Sequence, residues 1–154
     1  MKKQRLTKRD PIKNYFPLPN EIYSLGLSST AIAVYGYLLR REDRKTYQCL
    51  ASYRMIGDAI GKCANTVRKY VTELEARGLI CTERTTITTR DGRTRNGCLL
   101  YTIRPIKEAV ELYEQRQLRQ LELDTARWRA EQALMGPPAK PSEAVSLGRG
   151  RTAE

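Results

Sequence analysis

The sequence has no histidine. That absence removes Ser-His-Asp triads, H-E-x-x-H zinc sites and C₂H₂ fingers together. Cysteine occurs only at Cys49, Cys63, Cys81 and Cys98, and no two stand at C-x-x-C spacing. A zinc cluster or a redox dithiol is therefore not expected, and the thiols read as free in a reducing compartment. Long apolar runs are missing too. The longest, at residues 31–39, falls well short of the ~20 residues a bilayer requires. The N-terminus is basic but no apolar core follows it, so no export signal is visible. The expectation is a cytoplasmic protein with no membrane partner.

Acid is scarce relative to base. Lys+Arg 28 stand against Asp+Glu 17, giving a formal net charge of +11 and a pI of ≈ 9.8. Such an excess suits a polyanion, either nucleic acid or an anionic membrane face, although a solubilising surface gives the same balance. The 154 residues suffice for one domain with extensions, not for two large cores.

Catalytic patterns are also wanting. Residues 57–63, GDAIGKC, superficially suggest a phosphate-binding loop. The segment has one residue too few between its glycines and lacks the Ser/Thr that would hold Mg²⁺. No dinucleotide fingerprint appears, and Cys63 has no histidine to activate it. The carboxylates are scattered, mostly beside Lys or Arg. No enzyme, cofactor, metal or small-molecule ligand is expected.

What the sequence does have is concentrated in residues 52–80, SYRMIGDAIGKCANTVRKYVTELEARGLI. The spacing predicts a helix over 52–60 with Ser52 as its N-cap and Met55, Ile56, Ala59 and Ile60 along one face. Gly61 stands where a helix end needs a left-handed residue. A second helix is predicted over 64–77, with Val67, Tyr70, Val71 and Leu74 facing inward and Gly78 ending it.

This stretch resembles the helix-turn-helix of winged-helix DNA-binding proteins, on Ile56 to Gly61, on Thr66 and Val67, and on the Leu-Glu-x-x-Gly-Leu-Ile pattern from Leu74 to Ile80. The similarity spans residues 16–104, and FPLPNEIYSLGLSSTAIAVYGYLL looks like the lead-in of such proteins from plasmids, phages and integrative elements of low-GC Gram-positive bacteria. It implies a mainly α fold with a small β-hairpin: a winged helix-turn-helix plus a long C-terminal helix. Lys62 and Cys63 depart from the pattern, where an apolar residue and then Ser or Thr are usual. Cysteine is a poor cap, so either Cys63 or Asn65 starts the second helix, and the register of its outer face depends on which.

Around this centre, residues 1–15 form a basic arm carrying Lys2, Lys3, Arg5, Lys8, Arg9 and Lys13, and they lack apolar periodicity. Pro17 and Pro19 hold an extended lead-in. Asn20 is placed to cap a short helix that Gly26 stops, and Ser28 or Ser29 to start a longer one. That helix buries Ala31, Val34, Tyr35, Leu38 and Leu39. Residues 40–45 read as a charge-mixed helix end, and 46–50 as a small first strand pairing with the wing. Residues 79–89 and 98–103 read as the two wing strands. Asp91-Gly92 signals a turn with both central residues at positive φ, and Asn96-Gly97 a wider loop or a bulge. Pro105 opens a helix over 105–136, and 137–154 read as a structureless tail.

The resemblance implies that the second helix enters the major groove. Asn65, Thr66, Arg68, Lys69 and Thr72 would then read bases, with Arg68 and Asn65 best suited to bidentate contacts. Tyr53, Arg54, Lys62, Arg90, Arg93 and Arg95 would hold the backbone. The expected partner is double-stranded DNA, bound by a transcriptional regulator or by a replication or maintenance factor of a mobile element. A protein-interaction scaffold and an RNA binder are the alternatives. Ile106, Ala109, Val110 and Tyr113 form a stripe that breaks at Arg116-Gln117, and Leu118, Leu121 and Trp128 resume out of phase. The exposed part predicts a weak homodimer through the 105–135 helix.

Overall fold

The computed structural model describes residues 14–137. Most of the expected arm and of the expected tail lies outside the described residues. A 3₁₀ turn at Asn20–Ser24 leads into α1 (Ser29–Arg41), β1 (Gln48–Ala51), α2 (Tyr53–Ile60) and α3 (Ala64–Ala76). Then follow β2 (Ile80–Thr88), β3 (Thr94–Ile103) and α4 (Ile106–Met135).

Local chemistry sets most of these boundaries. Ser28 caps α1 by accepting from Ala31 N at 3.2 Å. Ser52 caps α2 by accepting from Met55 N at 3.2 Å. Gly61 ends α2 in the left-handed region at φ 72. The lead-in differs from expectation: Asn20 lies inside the 3₁₀ turn and Pro19 precedes it, its carbonyl accepting from Ile22 N.

The three strands form an antiparallel sheet in the order β1-β3-β2. β1 pairs with β3 from Gln48↔Thr102 to Ala51↔Leu99, so the short strand before the helix pair joins the wing, as its place in the sequence predicts. The wing tip is not the expected two-residue turn. Only Gly92 has positive φ there (71°), and the hydrogen bonds Gly92 N→Thr89 O and Thr89 N→Arg93 O close a three-residue loop around Arg90, Asp91 and Gly92. A type I turn followed by a left-handed glycine has this form. Asn96-Gly97 is not a loop: β3 runs through it, and the register shifts between Arg84 and Thr86. The extra residue on β3 is a bulge.

The core joins the 3₁₀ turn, the helices and the sheet in one cluster. Ile22, Leu25, Val34, Tyr35, Leu38, Ile56, Val67, Val71, Leu74, Leu79 and Tyr101 are all at most 2% exposed. At roughly 1.5–3 kcal/mol per large side chain, this burial is the main force aligning α3 against α1. α2 faces inward differently from expectation. Ile56 and Gly57 are buried, while Met55 and Ala59 are exposed. The architecture is a winged helix-turn-helix with a long C-terminal helix. The described residues up to Arg116 form one compact unit, and those from Gln117 onward a second. No helix of the described residues is long and apolar enough to cross a membrane.

Candidate nucleic-acid interface

The turn between α2 and α3 depends on a close approach. Lys62 N donates to Gly57 O at 2.9 Å, and the Gly61 N–H reaches the same carbonyl. A Cβ at Gly57 would collide with the Lys62 carbonyl oxygen. Glycine inside α2 thus lets the chain fold back tightly, which fixes where α3 begins.

α3 begins at Ala64, with Cys63 as its N-cap. Asn65 is therefore inside the first turn and does not act as the cap. Cys63 makes no side-chain cap bond; its Sγ lies 3.0 Å from Thr66 Oγ1. The Thr66 hydroxyl is the leading cause that holds the exposed Cys63 thiol below its ordinary pKa. The first-turn N–H groups have no side-chain acceptor, unlike those of α1 and α2.

With this start, Val67, Val71 and Leu74 are buried, and Asn65, Arg68, Lys69 and Thr72 are exposed on the outer face. Thr66 is half-buried. The outer residues are not equally free. The Thr72 hydroxyl donates to Arg68 O at 3.0 Å. Lys69 Nζ lies 5.7 Å from the Tyr70 ring centroid, a cation–π distance. The side chains of Asn65 and Arg68 make no hydrogen bond or ion pair within the described residues.

Arg68 lines an open cleft between the helix pair and the wing, together with Ser52, Tyr53, Arg84, Asn96 and Leu99. Arg84 and Asn96 are not among the residues that the sequence pattern singles out. Arg84 sits in a Thr-rich strand whose facing is set by its pairing with Leu99 and by the bulge beyond it. The bulge needs Gly97, where a Cβ would strike Thr85 and Ile87. The Thr85 hydroxyl donates to Cys98 O across the same point. Asn-Gly is the only local sign, and it marks the bulge without telling which side chains turn toward α3.

The other candidates are more dispersed. Tyr53 is half-buried against the core, while Arg54 and Lys62 are exposed. Arg90, Arg93 and Arg95 are all exposed. Arg95 pairs with Ile87 and Asn96 with Thr86, so the strand alternation puts Arg95 on the face opposite the cleft residue Asn96. Arg95 therefore does not share the cleft with Asn96.

Two anchors hold α3 relative to the wing and the body. Glu75 Oε1 accepts from Thr82 N at 3.0 Å and from the Thr82 hydroxyl, tying the helix to the root of β2. Arg77 Nη1 donates to Leu25 O at 2.8 Å and stacks 5.7 Å from the Tyr113 ring centroid. The sequence also grades charge along this stretch. Lys62, Arg68 and Lys69 lie toward its start, and Glu73 and Glu75 toward its end. No group of three or more His, Cys, Asp or Glu among the described residues is arranged to hold a metal ion.

Residues 25–80 match the family model of a helix-turn-helix domain. No curated protein matches the chain. Among solved structures, a protein described as "Possible transcriptional regulator from Methanosarcina mazei Go1" is similar at 16% identity and a TM-score of 0.45, covering 69% of this chain and 82% of that one.

Proposed function

With a helix-turn-helix domain at residues 25–80 as the premise, we propose that this chain binds double-stranded DNA and reads its sequence with α3. One observation carries the reading. The outer face of α3 presents Asn65 and Arg68 unpaired among the described residues, beside a cleft that Arg68 shares with Arg84 and Asn96 of the wing. Arg fits guanine O6 and N7, and Asn fits adenine N6 and N7, each through two hydrogen bonds. Arg68 and Asn65 are the base readers in this reading, with Thr66, Lys69 and Thr72 beside them. Tyr53, Arg54 and Lys62, with Arg90, Arg93 and Arg95, contact phosphates, and Arg84 joins them from the cleft wall. The net charge of +11 supplies long-range attraction.

The finer role is regulation of transcription, or replication and maintenance of a mobile element. The sequence resemblance supports both. Selection of binding sites from random duplex DNA tests the central claim. Enrichment of one motif is expected, with weaker gel shifts on a scrambled duplex and poor competition by RNA. Retention of all sequences alike would remove base reading, and preferential competition by RNA would assign the surface to RNA instead.

A further inference from the structure

The apolar residues of α4 change face part-way along it. Ile106, Ala109, Val110 and Tyr113 pack into the core of the first unit. At 3.6 residues per turn, Leu118 lies about 140° round the helix from Tyr113. Leu118, Leu121, Trp128 and Met135 are 61%, 62%, 61% and 86% exposed. Leu118, Leu121, Thr125, Trp128, Gln132 and Met135 recur at alternating steps of three and four. Those are the a and d positions of a heptad seam.

Two features of this surface specify its partner. A shallow hollow is lined by Leu118, Leu121, Glu122, Thr125, Ala126 and Arg129. The first four stand at a, d, e and the next a, which form the hole that accepts a d-position knob from a facing helix. The same register puts Asp124 at g and Arg129 at the following e. Those positions meet across a parallel, in-register pair, where the charges attract. An antiparallel pair would instead bring g against g, setting Asp124 near Glu131. Neither Asp124 nor Arg129 forms an ion pair among the described residues; Asp124 only accepts from Gln120 Nε2 at 2.9 Å.

We propose that residues 117–135 pair with the same segment of a second copy of this chain as a short, parallel two-stranded coiled coil. Leu121 of each copy fills the hollow of the other, and Asp124 of each meets Arg129 of its partner. Gln132 is the polar a position that favours one register. The seam is short and one a position is Thr125, so the dimer is weak and in exchange with monomer. The inference stands independently of what the reading face binds.

Sedimentation equilibrium of the full chain tests it. A monomer–dimer equilibrium is expected in the micromolar range. Leu121→Glu should abolish it over that range, while Leu123→Glu, off the seam, should leave it unchanged. Asp124→Lys and Arg129→Glu should each weaken association by about threefold or more, since each breaks two symmetry-related pairs. The double exchange, which recreates the pair with signs reversed, should restore it. These positions are exposed, so at concentrations where the parent is monomeric the thermal unfolding of every variant should match it. A parent that stays monomeric at high micromolar concentration overturns the proposal. So do equal losses from Leu121→Glu and Leu123→Glu, or a double exchange no better than the single ones.

Discussion

Arg68 leaves α3 one residue after the buried Val67, and its side chain forms no bond that folding needs. Arg68→Ala should therefore leave the unfolding free energy within about 0.5 kcal/mol of the parent. On a preferred duplex its removal should cost about 1–3 kcal/mol, and one base position should become degenerate. Equal weakening on every sequence would reduce Arg68 to a phosphate contact. Sites selected with parent and mutant proteins, compared side by side, decide between the two. Lys69 and Thr72 are expected to matter less, because each already has a partner on its own helix. Cys63 gives a second, opposite test. Its thiol caps α3 poorly, and a serine there can accept from the first-turn N–H groups. Cys63→Ser should raise stability by about 0.5–1 kcal/mol in urea unfolding. A lower midpoint would mean that the Cys63–Thr66 pair contributes more than a regular cap.

At the scale of elements, the turn between α2 and α3 is the most exacting part of the fold. Gly57→Ala improves helix propensity, yet its Cβ meets backbone that cannot swing aside. A net loss of about 1–3 kcal/mol is expected, measured by thermal or urea unfolding. A neutral outcome would show that the turn can open without cost. The wing makes a different kind of prediction. Removing Arg90, Arg93 and Arg95 together should lessen the slope of log K against log salt by about 0.9 for each phosphate no longer neutralised. Site preference should survive, and an unchanged slope would leave these arginines as a solvated tip. Much of this architecture is legible in the sequence. Ser52, Gly61 and the Val67, Val71, Leu74 spacing act within a turn or two of themselves, so they fix α2 and α3 locally. The inward face of α2 is less legible. Apolarity favours Met55 and Ala59, whereas the buried position is Gly57, required by a chain reversal five residues on. Arg84 escapes notice for a related reason: its facing depends on a bulge in the opposite strand. Asp91-Gly92 announces a turn, but whether it holds two or three residues is decided by how the strands pair.

Over the whole molecule, the lack of histidine and the burial of tyrosine and cysteine together shape the response to pH. No side chain with an ordinary pKa between about 5 and 8 is present. Stability should therefore be nearly level across neutral pH. Three buried groups change that on the alkaline side. Burial pushes Cys49 from 9.0 up to about 11, with Arg41 opposing. Burial, aided by the nearby Glu42 charge, pushes Tyr35 from 10.0 up to about 12. Burial raises Tyr101 as well, and its hydroxyl has no hydrogen-bond partner among the described residues. A raised pKa in the fold means that the native state keeps a proton the unfolded state has lost. The stabilisation is complete below the unfolded pKa and disappears as pH rises through the folded one. For Cys49 that window runs from 9.0 to about 11, and for Tyr35 from 10.0 to about 12. Inside its window each group lowers the unfolding free energy by up to about 1.4 kcal/mol per pH unit. Cys63 shifts the other way, but it is fully exposed and cannot offset three core groups. Urea midpoints measured from pH 6 to 11 should thus hold level to about pH 9 and then fall with steepening slope. Cys49→Ala should lower the plateau, through the small void it leaves in the core, yet delay the onset of the fall toward pH 10. If the mutant's decline begins at the same pH as the parent's, the tyrosines alone drive it, and Cys49 is already open to hydroxide in the folded chain.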